Sequence, residues 1–298
     1  MRRKDDKNYH PFSVLYAEFM LKLSNKPGPI GVFDSGYGGL TILENIRKAL
    51  PEYDYLYLGD NARAPYGSRS FEVVYEFTKQ AVSYLFEQGC HLVVLACNTA
   101  SAKALRSIQQ KDLPLWDKQR RVLGIIRPTV EGVDGVTQSR CIGLLGTVGT
   151  IQSESYPMEI KKIYPDIQVF SLACPMWVPL VENREYDKPG ADYFVKQYLD
   201  RLLNSSSKID TLILGCTHYP LLEQKVREYL PQGIKIIPQG KWVADSLKNY
   251  LLRHPEIDEK CTRNGRCEFL TTESEEKFAD TASVFLKENI QVKHITMD

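Results

Sequence analysis

From Pro29 onward, short apolar runs alternate with longer amphipathic ones. The short runs are PIGVFD, YDYLYLGD, HLVVLAC, RVLGII, CIGLLGT, IQVFSLAC, TLILGC and IKIIPQ. Their apolar residues are continuous rather than alternating, the pattern of strands covered on both faces. The stretches between them, such as LTILENIRKAL, FEVVYEFTKQAVSYLFEQG and ADYFVKQYLDRLLNSS, carry apolar residues at helical spacing. Strands alternating with helices predict an α/β fold built on parallel sheets. In that class ligands bind at the carboxyl ends of strands.

Polar residues collect at those predicted ends. Asp34 and Ser35 follow GVF, Asp60 follows LYLG, and Cys97, Thr147 and Cys216 each close a run. Two of the runs read as copies of one device. HLVVLACNTASA stops at Cys97 and continues with Asn98 and Thr99; DTLILGCTHYPLL stops at Cys216 and continues with Thr217 and His218. A thiol between a strand and a helix-compatible stretch is placed to be reactive. Two such thiols suit chemistry that needs two opposed acid/base groups on one substrate. The polar stretch WDKQRR suggests a domain break near residues 117–121, which puts one device in each half.

Charge and composition remove several alternatives. Lys and Arg number 38 against 37 Asp and Glu, so no global basic field invites nucleic acid. No apolar run has the length of a membrane span. The N-terminal stretch MRRKDDKNYHPFSVLYAEFMLKL resembles a signal peptide in outline. Glu18 and Lys22 interrupt its apolar part, and no small-residue cleavage site follows, so an amphipathic helix or a tail is expected instead. The seven cysteines are odd in number and scattered, which argues against a disulfide framework, and no zinc-ligand spacing occurs among them. Cys90, Cys141 and Cys174 read as small core residues.

The remaining motifs each carry a plain reading as well. Gly36, Gly38 and Gly39 in DSGYGG sit between a strand and a helix, but the spacing is not the dinucleotide fingerprint, and Asp34 would repel a phosphate. The glycines are expected to clear space for a small ligand beside Asp34 and Ser35. The PYGS turn, with Tyr66 and Gly67, has the composition of an exposed loop. Glu182, at the end of ACPMWVPLVE, has the context of a surface charge. His218 lies two residues past a candidate nucleophile and can hold a proton near neutral pH.

Taken in order, DSGYGG, PYGS, ACNTASA, ACPMWVPLVE and GCTHYPLL resemble the glutamate racemases of the cofactor-independent aspartate/glutamate racemase superfamily. The resemblance runs from about Pro29 to roughly Gln239, and residues up to about Lys26 look like an extension. It implies two similar doubly wound parallel-sheet domains with the active site between them. The expected division is an N-terminal extension over residues 1–28, a first domain over 29–120 plus about 238–298, and a second over 121–237. One departure lies near the presumed domain junction: GIIRPTVEG carries Arg127 and Thr129, where relatives often have Glu and Gly. It bears on domain packing or regulation more than on chemistry.

The resemblance also implies an activity: L- and D-glutamate exchange by loss and return of the α-proton, one thiol on each face, with no cofactor and no metal. Cys97 would deprotonate D-glutamate with support from Asp34, and Cys216 would deprotonate L-glutamate with support from His218 and Glu182. Asp34, Ser35, Tyr66, Gly67, Asn98, Thr99, Thr217 and His218 align with the family's substrate-binding pairs, and Thr147 and Thr150 are weaker candidates. A cytoplasmic homodimer that supplies D-glutamate for peptidoglycan, with no nucleic-acid or membrane partner, is the corresponding expectation. Three other readings stay open at this level: a superfamily decarboxylase or racemase of another substrate, a thiol hydrolase using Cys216 and His218, and a binding protein that keeps the pocket.

Overall fold

The computed structural model describes residues 26–297. The N-terminal stretch expected to be a helix or tail lies outside the described residues. Among the described residues ten strands form two sheets, and every pairing between them is parallel. The larger has six strands in the order β10-β9-β2-β1-β3-β4; the smaller has four, in the order β6-β5-β7-β8.

The eight apolar runs all become strands: β1 (Ile30–Asp34), β2 (Tyr55–Gly59), β3 (Leu92–Leu95), β4 (Arg121–Gly124), β5 (Cys141–Gly146), β6 (Gln168–Ala173), β7 (Thr211–Gly215) and β8 (Lys235–Ile236). β1, β2, β3, β5 and β7 are buried at every residue, as continuous apolar runs require when helices cover both faces. β9 (Cys267–Thr271) and β10 (Val292–His294) extend the first sheet beyond β2. β4 hydrogen-bonds to β3 in register from Leu92↔Arg121 to Leu95↔Gly124. The strand after WDKQRR therefore stays in the first sheet, and the second sheet begins only at Cys141. That polar stretch is a surface turn within the first sheet, not the crossing.

The two sheets repeat one topology. The chain leaves the central strand β1, pairs it with β2 on one side, then crosses back to place β3 on the other. β5, β6 and β7 do the same. Each sheet thus has a switch point where the winding reverses, the place at which crevices open at strand ends. Register brings those ends level: Phe33 pairs with Leu95 in one sheet and Gly146 with Gly215 in the other. Asp34 and Cys97 consequently emerge at the first switch point, and Thr147 and Cys216 at the second.

Six helices bring further side chains to the region between the sheets. α1 (Leu40–Ala49) follows β1. α2 (Asn98–Lys103) follows β3, and α3 (Ile126–Glu131) lies in the connection between the sheets. α4 (Ser155–Ile163) and α5 (Trp177–Glu182) belong to the second sheet's half. α6 (Gln239–Arg253) follows β8 and packs along α1, so the chain returns to the first half.

Candidate active site

Cys97 follows β3 in extended backbone and caps α2: its Sγ accepts from the Ala100 N–H at 3.4 Å. The Ser35 hydroxyl lies 3.3 Å from the same sulfur. Burial pushes the Cys97 thiol up to about 12, Asp34 adds to the rise, and the Ser35 hydrogen bond opposes it. Asp34 is buried behind Ser35; one carboxyl oxygen accepts from the Gly36 N–H at 3.0 Å and the other has no partner. Burial raises its pKa, against the pull of the His218 charge.

Cys216 has a different neighbour. Its Sγ is 3.8 Å from His218 Nδ1, and His218 Nε2 is 3.1 Å from Glu182 Oε1 at the end of α5. Burial works against charge on this imidazole, yet its bonds to Cys216 and Glu182 raise it to about 10. When protonated it donates from both nitrogens, to the sulfur and to the carboxylate. One thiol therefore faces a carboxyl group and the other faces a cation. The second device also departs from the first in backbone: a bend at Cys216, a turn and the 3-10 segment Tyr219–Leu222 precede the α-helix Glu223–Tyr229, whereas α2 starts directly after Cys97.

Both sulfurs line one cavity of about 240 Å³ between the two halves. Ser35, Tyr66, Gly67, Asn98, Thr99, Thr147, Glu182, Thr217 and His218 share its wall. Asp34 and Thr150 stand behind it: Asp34 beneath Ser35, and Thr150 in a hydroxyl triad with Thr147 (3.0 Å) and Thr99 (3.3 Å). The Thr99 and Thr147 hydroxyls, 2.9 Å apart, join the halves on that side. Glu182 is not the surface charge its context suggested, because His218 draws it into the wall. Nor is PYGS an exposed loop at its tyrosine, which is buried. The clearance expected of the DSGYGG glycines is partly of another kind. Gly36 lines the cavity, but a Cβ at Gly38 would stand 2.4 Å from Thr217 Oγ1 and 2.5 Å from His218 Nδ1, so Gly38 admits the other half of the protein.

Two side chains turn away from the cavity they border. The Tyr66 hydroxyl donates to Asp60 Oδ2, which also accepts from Arg63 Nε at 2.7 Å, while Thr272 Oγ1 donates to Oδ1 at 2.9 Å. Asp60 is fully buried and holds the loop that carries Tyr66 and Gly67; its place at a strand end was visible in the sequence, its partner was not. The Asn98 side-chain amide is taken up by Gln239 and Tyr156. Nothing in the pattern of the chain marked Gln239 or Tyr156. Among the described residues no group of three or more His, Cys, Asp or Glu is arranged to hold a metal ion, and no helix is long and apolar enough to cross a membrane.

The Asp/Glu/hydantoin racemase family pattern matches residues 30–246. A glutamate racemase of Listeria monocytogenes serotype 4a is 39% identical over 270 residues, covering 90% of this chain and 98% of its own. One from Ruegeria sp. is 37% identical over 271 residues, covering 88% and 97%. Among solved structures, a glutamate racemase isoform of Bacillus anthracis is similar with a TM-score of 0.82 at 37% identity, covering 92% of this chain and 98% of its own. The Francisella tularensis glutamate racemase in complex with D-glutamate has a TM-score of 0.81 at 32% identity, covering 92% and 99%.

Proposed function

Since the chain belongs to the Asp/Glu/hydantoin racemase family, we propose that it interconverts L- and D-glutamate by proton transfer between two cysteines. One observation carries the reading: Cys97 and Cys216 line a single small cavity at the two switch points, each with its own titratable partner. In the L-to-D direction the Cys216 thiolate, beside the His218 cation, removes the α-proton. The electron pair of the broken C–H bond stays on Cα and spreads into the adjacent carboxylate. The Cys97 thiol then delivers its proton to the opposite face. Cys216 ends as a thiol and Cys97 as a thiolate, so the D-to-L reaction runs through the same groups reversed.

Ser35, Thr99, Thr147 and Thr217 offer hydroxyls, and the backbone at Gly67 and Asn98 borders the cavity, so the substrate's carboxylates meet donors without a cofactor. The role assigned to D-glutamate is supply of cytoplasmic peptidoglycan synthesis by a homodimer. Growth of a D-glutamate auxotroph on this gene and light scattering of the purified protein test those two points.

The chemical test is exchange in deuterated water. Either enantiomer should racemise with deuterium gained at Cα, and Cys97→Ala and Cys216→Ala should each lose racemisation by a factor of at least about 10³. Full racemisation by both variants would falsify the two-thiol mechanism. A second reading has a specific observation of its own, the Cys216–His218–Glu182 line, which is the nucleophile, base and orienting acid of a thiol hydrolase. It leaves Cys97 without a task, and an acyl-enzyme on Cys216 with activity intact in Cys97→Ala is what it requires.

A further inference from the structure

Behind Cys97 lies a closed ring of buried side-chain hydrogen bonds that the proposed chemistry does not use. Asn98 Nδ2 donates to Gln239 Oε1 at 3.0 Å. Gln239 Nε2 donates to the Tyr156 hydroxyl at 2.7 Å and to Thr129 Oγ1 at 2.8 Å. The Tyr156 hydroxyl donates onward to Asn98 Oδ1 at 2.6 Å, and Thr129 Oγ1 donates out of the ring to the Ile125 carbonyl at 2.7 Å. Gln239 Nε2 also comes within 3.3 Å of Asn98 Oδ1, so Asn98 and Gln239 face each other through both ends of their amides. All four residues are buried, with Thr129 and Tyr156 wholly so.

The four come from four elements. Asn98 opens α2 next to Cys97, Thr129 is in α3 between the sheets, Tyr156 is in α4 of the second half, and Gln239 opens α6 on the return to the first. A fully satisfied buried network permits one arrangement and penalises others, because any shift strands a polar group away from water. Rotation of one half against the other would break the ring at Gln239 or Tyr156. A glycine in place of Thr129 would give Gln239 Nε2 no hydroxyl to meet.

We infer that Gln239 is a positioning residue that locks Asn98, and through it the Cys97 thiol, to the relative placement of the two halves, with Thr129 and Tyr156 as its anchors. It touches neither substrate nor sulfur and acts through Asn98. The inference deepens the two-cysteine reading and rests on it for its kinetic arm only.

The experiment compares Gln239→Met, Tyr156→Phe, Thr129→Val and Thr129→Ser in two assays. The first is kcat and KM from each enantiomer, with and without deuterium at Cα. The second, independent of racemisation, is the rate at which iodoacetamide labels Cys97 and Cys216, resolved by mass spectrometry. Gln239→Met and Tyr156→Phe should lower kcat from D-glutamate about tenfold, in proportion to one or two lost buried hydrogen bonds, while kcat/KM changes by one common factor from the two enantiomers because their equilibrium constant is unity. The Cα deuterium effect should grow from D-glutamate more than from L-glutamate. Labelling should change severalfold at Cys97 and not at Cys216. Thr129→Val should show the same pattern more weakly, and Thr129→Ser should restore it. Should Gln239→Met not fold, Thr129→Val against Thr129→Ser decides. Equal changes at both cysteines, or none at Cys97 in any folded variant, would overturn the inference. A parent that labels as described but does not racemise would overturn the proposed function instead.

Discussion

At the scale of residues, the two thiols are made unequal by what stands beside them. His218 is the clearest case, since its proton is held to about 10 against burial by Cys216 and Glu182. A histidine normally titrates near 6.5. A raised folded-state pKa contributes stability in full below about 6.5 and loses it as pH rises toward about 10. Thermal melts at pH 7, 8 and 9 should therefore show the parent losing stability by at most about 1.4 kcal/mol per pH unit. His218→Asn should show a flatter slope over the same span. Cys97, Cys261 and Cys267, each pushed up to about 12, begin to lose stability from about 8.5 in parent and variant alike, so the step from pH 7 to pH 8 is the one that reports His218. A slope unchanged in His218→Asn would mean that the imidazole is neutral in the folded protein. The same variant should slow kcat from L-glutamate more than from D-glutamate, because the imidazole it removes contacts Cys216 directly and reaches the Cys97 side only through its charge on Asp34.

Among the elements, what was legible in the chain tracks burial. Strands covered on both faces announce themselves as unbroken apolar runs, and all eight such runs are strands. β9 and β10 were not foreseen: CEFLT has only two large apolar residues, and VKH, at the sheet edge, keeps two of three side chains exposed. WDKQRR is as polar as a linker, yet Arg120 within it is buried against Phe86, and β4 after it pairs with β3. Tertiary context also decides Asp210, which precedes β7 and looks like a solvated turn residue. Its carboxylate accepts from the Gln138 and Ser139 N–H groups and the Thr137 hydroxyl, each at 2.7 Å, and from the Thr211 hydroxyl at 2.8 Å. Burial works against the charge, but these donors prevail and hold the group near about 2. Stability from a depressed carboxyl is present above about pH 4 and lost as pH falls through about 2. Asp210→Asn should cost about 1–3 kcal/mol at pH 7 and should flatten the acid limb between pH 4 and 2 in denaturant titrations. An acid limb as steep as the parent's would assign that limb to other carboxylates.

Over the whole molecule, the site exists only because two similar halves approach closely enough to share one cavity. Sequence motifs supplied the cysteines, His218 and Asp34, but not the contacts that set the approach, since those join positions with no common pattern. Three such contacts stand out: the Gly149 N–H donating to the Gly67 carbonyl at 2.7 Å, the Thr99 and Thr147 hydroxyls, and Gly38 against the loop that carries Thr217 and His218. The last is the most sensitive. A methyl at Gly38 would lie 2.4 Å from Thr217 Oγ1 and 2.5 Å from His218 Nδ1, closer than such contacts allow. Neither side can simply retreat. The Thr41 hydroxyl bonds both the Gly38 carbonyl at 2.8 Å and the Thr217 carbonyl at 3.2 Å, so the turn and the loop are tied together. Relief must come from His218 leaving Cys216 or from the halves separating, and either disturbs the thiol pair while both cores stay packed. Gly38→Ala should therefore cost only about 1–3 kcal/mol in stability, as overpacking does. Its kcat should fall at least about tenfold in both directions, since a displacement near 1 Å at a reacting group is enough for that. Calorimetry and racemisation by the same preparation decide the matter. Parental kcat in a Gly38→Ala protein of lowered stability would show that the cavity tolerates a wider gap than its hydrogen bonds suggest. Loss of activity with stability nearly kept would show that the closeness of the two halves is itself a catalytic requirement.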